Sequence, residues 1–361
     1  MPDTPSLPSD YAEFLQAIKQ QVRTAQIRAL VRVNTELISL YWQIGTNIIE
    51  RQSKEGWGTG VMQQLSRDLH AAFPQMKGFS VRNLGYMKSF AMAYPNEAIL
   101  QQPAAKLPWY HHCVLLDKVK DEKERMWYMH KAAENGWSRN ILVLQIETDL
   151  YHRSGKAITN FSSSIPELNS DLAQDVLKDP YVFDFITTSD ETKERHVQSA
   201  LLAHIEHFLL ELGVGFTFVG SNHHLVVGDE DFYLDLLFYH IRLRRYVVIE
   251  LKTGMFKPEY AGKLKFYLTA VDEQLKQPED NSTIGIILCK SKNKTTAEYA
   301  LRDMQKPIGV ASYTTTQLPA SLKGQLPDIK ELELSIERIQ GKGEITVNLE
   351  VEEPYDDNKQ E

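Results

Sequence analysis

Asp235, Glu250 and Lys252 stand at the ends of two strand-like runs, FYLDLLFYH (232–240) and RRYVVIELK (244–252), joined by a short polar turn. Two carboxylates and an ammonium on neighbouring strands make a hard-cation site beside a fixed positive charge, the combination that cutting a phosphodiester requires. Alternate side chains of a strand share a face, so Glu250 and Lys252 project together while Leu251 enters the opposite face. A hairpin turn over 240–243 lets antiparallel pairing bring Asp235 to the Glu250 end, with the register open by a residue or two. Mg2+ takes one or two carboxylates and completes its shell with water and substrate oxygen, so Asp235 and Glu250 suffice as protein ligands. Lys252 then stabilises charge on the phosphorus centre or positions the attacking water. The same spacing also suits a buried Asp/Glu/Lys ion-pair cluster at a strand end, and spacing alone does not separate the two readings.

The runs around these residues read as central strands, because Leu234, Leu236, Leu237 and Phe238, then Val247, Val248 and Ile249, leave no solvated face. Ahead of them Val197, Leu201, Leu202, Ile205, Phe208, Leu209 and Leu212 recur at helical spacing and predict a helix over 191–212, stopped by Gly213. Two strands are expected at 216–219 and 223–227. Pro258 opens a further helix at its first turn, with Lys263 and Tyr267 four residues apart on one face, and residues 283–289 supply a closing strand.

The runs HFLLELGVGFTFVG (207–220), DFYLDLLFYH (231–240), YVVIELKTGMFKPEYAGKLKFYLTAVD (246–272) and TIGIILCKSKNKTTAEYAL (283–301) make residues 180–327 resemble the PD-(D/E)XK nuclease superfamily, and within it the YhcG-type branch. The resemblance implies a restriction-endonuclease-like α-β-β-β-α-β core, a divalent metal (Mg2+ or Mn2+) on the residues equivalent to Asp235 and Glu250, and a chemical role for Lys252. It also aligns Gln198 with a position on the first helix where the superfamily often has a further acidic ligand, so the expected site lacks that charge. Lys263 stands where many relatives carry a Gln ahead of a Tyr, and Lys263 and Tyr267 are expected as supporting residues that contact phosphate. The stretches GFSVRNLGYMKSFAMAYP (78–95) and LPWYHHCVLL (107–116) resemble the N-terminal domain that accompanies this nuclease, which extends the likeness over nearly the whole chain.

At 361 residues the chain exceeds one typical domain. The expected α+β architecture has two domains: a mainly helical one (10–153) and, after a Ser/Asn/Asp-rich linker (154–179) part of which the resemblance allows to pack, the nuclease core (180–327), followed by a β-hairpin and acidic tail (328–361). No apolar run reaches 18 residues and no basic-then-apolar leader opens the chain, so a cytoplasmic protein without a membrane segment is expected. Cys113 and Cys289, both in apolar stretches, read as buried thiols of a reducing compartment and exclude a cysteine-built zinc site. The net charge of −8 is uneven: residues 328–361 carry 4 basic and 11 acidic side chains, whereas 1–180 carry 20 and 19. An acidic total therefore does not oppose nucleic-acid binding, which needs only a local basic stripe.

Within the first domain, Asp10 and Glu13 suit a capping box, and Leu15, Ile18, Val22, Leu30, Val33, Leu37, Leu40, Ile44 and Ile48 form a helical apolar stripe. Further helices are expected near 59–73, 80–94, 121–135 and 138–152, punctuated by Pro and Gly. Ser80 is expected to cap a helix whose first turns expose Arg82, Asn83 and Lys88 to DNA in the manner of a helix-turn-helix. Residues 51–100 carry 6 basic against 3 acidic side chains, which fits that reading, although an ordinary solvated helix face fits too. His111, His112, His223, His224 and His240 read as structural histidines. The expected activity is a metal-dependent endonuclease on DNA, its strands held by Lys257, Lys263, Lys265, Lys290, Lys292 and Lys294. A non-cleaving nucleic-acid-binding protein with an impaired site is the alternative, and a homodimer is compatible with either.

Overall fold

The computed structural model describes residues 11–55, 59–96, 99, 106–184, 186 and 193–315. The chain divides into two compact units between Ile146 and Glu147. The Asp10–Glu13 cap and the hairpin expected near the C-terminus lie outside the described residues. No helix among the described residues is long and apolar enough to cross a membrane.

The first unit is helical: α1 (Tyr11–Glu55), α2 (Thr59–Ala72), α3 (Val81–Ala93), α4 (Trp109–Lys118), α5 (Glu122–Asn135) and α6 (Arg139–Glu147). The second half of α1 buries Ile38, Tyr41 and Ile48 against Leu84, Met87 and Phe90 of α3. Gly45 permits that crossing, since a Cβ there would lie 2.0 Å from the Met87 carbonyl oxygen. The Trp42 indole N–H donates to the Tyr94 carbonyl at 2.8 Å and the Arg125 Nε to the Tyr94 hydroxyl at 3.0 Å, tying α1 and the start of α5 to the C-terminal end of α3. The apolar stripe expected along all of α1 holds only in part. Ile18, Val22, Val33 and Leu40 are exposed among the described residues. The helix α4 was legible only through the resemblance, since its apolar run lacks a one-sided pattern.

The second unit holds α7 (Leu150–Arg153), β1 (Ile158–Thr159), α8 (Phe161–Ser164), α9 (Glu167–Val176), β2 (Tyr181–Val182), α10 (Glu194–Ala203), α11 (Ile205–Leu212), β3 (Phe216–Val227), β4 (Glu230–His240), β5 (Arg245–Met255), α12 (Pro258–Gln274), β6 (Ile284–Ser291), α13 (Lys294–Leu301) and β7 (Ile308–Thr314). Strand order across the sheet is β1-β7-β6-β5-β4-β3, with β2 also on β7. The β3–β4–β5 meander is antiparallel and β5, β6 and β7 are parallel. Alternation along the central strands sends Leu236, Phe238, Val247 and Ile249 into a layer with α10 and α11, and Leu237 and Val248 into a layer with α12 and α13. Gly285 lets α12 lie close, for a Cβ on it would meet the Leu264 side chain at 2.6 Å.

Three expectations are corrected here. The helix expected over 191–212 is two helices, because His204 adopts φ −123° and ψ 43° between them. The two strands expected at 216–219 and 223–227 are one, with an irregularity between Phe218 and Gly220 that periodicity alone reads as a break. The expected linker 154–179 is packed structure. Phe161, Ile165, Ala173 and Leu177 are buried in the α10/α11 layer, and β1 pairs with β7. Its polar composition misleads because Asn160 is spent on backbone: its amide donates to the carbonyls of Met304 (2.7 Å) and Lys306 (3.0 Å), and its oxygen accepts from the Ile308 N–H (2.8 Å).

At the hairpin end of β4, His240 is buried, its Nδ1 accepting from the Leu243 N–H at 3.1 Å and its ring edge-on to Phe216. Burial, with Arg242 and Arg245 nearby, pulls its pKa down to about 4, so the folded ring stays neutral. The unfolded imidazole gains its proton near pH 6.5 and the folded one only near 4. Stability is therefore expected to fall by up to about 3 kcal/mol as pH drops through that window. Urea titrations at stepped pH should show the slope, and His240→Gln should remove that portion of it; an identical slope in the variant would assign the effect to another group.

Candidate active site

Strand β5 carries the site by serving two partners over different lengths. It pairs with β4 from His240↔Arg245 up to Leu236↔Ile249, yet continues alongside β6 through Lys252↔Cys289. The sheet thus opens at Asp235 and Glu250, one step beyond the last β4–β5 couple. The Asp235 Oδ2 accepts from the Leu251 N–H at 2.9 Å, fixing the carboxylate across the mouth of the gap. Asp235 therefore reaches the Glu250 end, as the hairpin register expected from the sequence allowed.

Glu250 is 1 % exposed. Its Oε1 receives Lys252 Nζ at 3.1 Å and Lys263 Nζ at 2.7 Å, while its Oε2 has no hydrogen-bond partner among the described residues. Burial and the neighbouring Glu250 charge push the Asp235 carboxyl up to about 6. The Lys252 ammonium also donates to the Leu251 carbonyl at 2.7 Å and to Glu194 Oε2 at 3.1 Å, and lies 5.3 Å from the Tyr260 ring centroid. Burial works against its charge, but Glu250, Glu194 and Asp235 outweigh it and raise the pKa, so the amine is a cation at neutral pH.

Even with two ammoniums on Oε1, a buried Glu250 oxygen is left without a donor and the neighbouring Asp235 carboxyl is pushed up, so the pair can still take a further positive charge. Both donors are hard oxygens, so the residues present fit Mg2+ or Mn2+. Glu194, which the sequence reading passed over, brings a third carboxylate to the cluster from the first turn of α10. It lies four residues before Gln198, so helical spacing from that position was the signal that could have found it.

Gln198 is nearly buried, and its amide donates to the Asp235 carbonyl at 2.7 Å and to Asn222 Oδ1 at 3.3 Å. It braces the backbone under Asp235. Lys263 is half-exposed on α12, and its ammonium pairs with Glu250. Tyr267, expected with Lys263 to contact phosphate, is buried, its ring centroid 5.1 Å from the Lys263 ammonium and near Phe232. Lys292 is paired with Asp179 beside Ser312 and is mostly buried, so it does not offer its charge to a ligand as expected. Lys257 and Lys265 are exposed at the start of α12 and on its outer face, and Lys294 is exposed beside Glu298.

In the helical unit Ser80 caps α3 as expected, its hydroxyl accepting from the Asn83 N–H at 3.2 Å. Arg82 is exposed and Lys88 half-buried. Asn83 is not exposed: its amide donates to the Gly78 carbonyl at 2.5 Å and its oxygen accepts from the Trp109 indole at 2.6 Å, so it locks α3 to α4. The position on the helix was read correctly, but the buried indole that claims the side chain is 26 residues away.

Residues 174–327 match the YhcG PDDEXK nuclease domain, and residues 17–153 match the DUF1016 N-terminal domain. The chain is 30% identical over 365 residues to YhcG of Escherichia coli (strain K12), a protein whose own name describes it as a candidate nuclease, covering 91% of this chain and 94% of that one. Among solved structures, a repair endonuclease from Pyrococcus abyssi matches over 36% of this chain and 50% of its own, with a TM-score of 0.24 and 16% identity. The EndoMS–dsDNA2 complex matches over 37% and 47%, with a TM-score of 0.25 and 16% identity.

Proposed function

The chain belongs to the nuclease family in which a DUF1016 N-terminal domain precedes a YhcG PDDEXK domain, and from that premise we propose that it is a metal-dependent endonuclease hydrolysing phosphodiester bonds in DNA. The observation that carries this reading is the opening of the sheet at Asp235 and Glu250, with an unsatisfied buried oxygen on Glu250 and a held ammonium on Lys252. Asp235 and Glu250 would hold Mg2+ or Mn2+, while Glu194 pairs with the Lys252 ammonium. When bound, such an ion supplies Lewis acidity and offsets charge on the phosphoryl oxygens.

The protein groups do the rest. Lys252, held by the Leu251 carbonyl and Glu194, cannot wander, so its charge is aimed in advance at the oxygen that becomes more negative as the bond breaks. Gln198 keeps the Asp235 backbone in place, and Tyr260 closes the apolar side of the lysine. Lys257 and Lys265 on α12 would grip the substrate backbone, which positions the strand without reading its sequence.

The decisive experiment incubates purified protein with linear, nicked, branched and single-stranded DNA in Mg2+, Mn2+ or EDTA. Cleavage of at least one substrate with metal and none with EDTA is expected. Binding without cleavage under every condition would favour the non-cleaving alternative, and cleavage in EDTA would remove the metal from the reading.

The helical unit would contribute grip. Arg82 is exposed on the first turn of a capped helix within a locally basic stretch, and Lys88 follows on the same element. Replacing both with Glu is expected to weaken duplex binding and to flatten log K against log salt by roughly 2, since each lost phosphate contact removes about 0.9 from the slope. Unchanged affinity and slope would assign this unit to protein contacts.

A further inference from the structure

Five ionisable groups meet at the mouth of the sheet: Asp235, Glu250 and Glu194 against Lys252 and Lys263. Both ammoniums crowd the same oxygen of Glu250, at 3.1 and 2.7 Å. With both lysines in place the cluster carries one net negative charge, and a divalent cation arriving there would face two ammoniums within a few ångströms. Like charges at such range repel strongly at the low effective dielectric of a half-buried site. One ammonium has to leave, and the two are not equivalent. The Lys252 side chain is 9 % exposed and anchored by a backbone carbonyl and Glu194, whereas that of Lys263 is 49 % exposed and extends from the surface of α12. Leaving returns the half-exposed Lys263 to water at little cost, whereas moving Lys252 would give up its hydrogen bonds to Glu194 and the Leu251 carbonyl.

We propose that Lys263 is an exchangeable counter-ion: it neutralises Glu250 while the site holds no metal, gives way when a divalent cation binds, and is then released to contact a substrate phosphate. This rests on the reading of Asp235 and Glu250 as metal ligands. The face of the Tyr267 ring, 5.1 Å from the ammonium, gives the released lysine a second resting place at the same mouth. One residue thereby couples two ligands. Metal frees a lysine for DNA, and by reciprocity DNA that engages the lysine favours metal.

The test uses the full chain and two readouts other than cleavage. Free Mn2+ is followed by electron paramagnetic resonance to obtain its affinity without DNA. Binding of a fluorescent DNA duplex is then measured with Ca2+, chosen to occupy the site without turnover, and with EDTA. Lys263→Gln is expected to bind Mn2+ about tenfold more tightly, within the usual 5- to 150-fold range of site coupling. It should also lose most of the gain in DNA affinity that Ca2+ gives the natural protein, and Lys263→Arg should restore the competition. Equal or weaker Mn2+ affinity in Lys263→Gln, with melting unchanged, would overturn the exchange while leaving the metal site standing. If the natural protein and Asp235→Asn bind Mn2+ equally poorly, the metal-ligand reading itself fails and the exchange falls with it.

Discussion

Asp235→Asn and Glu250→Gln should each abolish cleavage, and they should move stability in opposite directions. Each removes one of two carboxylates that would hold the metal, so the loss should exceed the roughly 10–100-fold that follows from damaging an outer partner of a metal site. The stability effects differ because the two carboxylates have different surroundings. Asp235 holds its proton up to about pH 6 under the pressure of burial and of Glu250, so its charge at neutral pH works against the fold. An isosteric amide keeps the acceptor for the Leu251 N–H and removes that charge, and a gain of about 1–3 kcal/mol is expected at pH 7.5 in EDTA. The unfolded carboxyl loses its proton near pH 4 and the folded one near 6, so the gain should shrink as pH falls through 6 and vanish near 4. Glu250→Gln instead takes the anion from two lysines, one of them buried, and should cost about 2 kcal/mol, less than the 3–5 of a fully stranded pair because Glu194 remains with Lys252. Denaturant midpoints of the two variants decide the matter. Full cleavage by both would end the catalytic assignment, and a shared sign of the stability change would end the electrostatic account of the pair.

Lys252→Ala is expected to lower kcat by about 10²–10³ while shifting DNA affinity far less. The asymmetry follows from burial. An ammonium that is 9 % exposed and already donating to a backbone carbonyl has little to offer a resting phosphate, and gains its interaction only as charge builds during bond breaking. Single-turnover rates at saturating protein separate that step from binding. If affinity fell as far as turnover, Lys252 would be an anchor for substrate rather than a group that acts on the developing charge.

Reading strands from the sequence worked best where one local pattern settles the outcome. The alternation in 234–238 and 247–251 encodes faces directly, and the short turn between the two runs leaves few registers, so Asp235, Glu250 and Lys252 could be brought together on paper. It failed where a side chain's partner is set by distant chain. Asn83 looked like an exposed residue on a capped helix until the Trp109 indole claimed it. Lys292 looked like one more phosphate lysine until Asp179 took its charge. Lys263 and Tyr267 were correctly placed on one helix face, but which way that face turns depends on how α12 docks over Gly285, and no periodicity within α12 reports that. Glu194 was passed over for a related reason. The helix pattern pointed to Gln198, and only the packing of α10 over β5 shows that one turn earlier the same face ends in a carboxylate.

The packed segment 154–182 also matters for how the molecule fares among copies of itself. A parallel strand with a bare edge is a template for uncontrolled pairing with other chains. Strand β7, apolar and almost wholly buried, would be such a template if the chain truly began its nuclease core at residue 180. Instead β1 covers β7 from Ile158↔Val310 to Thr159↔Gly309, and β2 covers the stretch from Tyr181↔Tyr313 to Val182↔Thr314. The far edge, β3, shifts register against β4 between Phe218 and Gly220, and irregularities of that kind interrupt a straight pairing edge. A short polar-looking stretch thereby guards the sheet against aggregation, and trimming it away would expose that hazard.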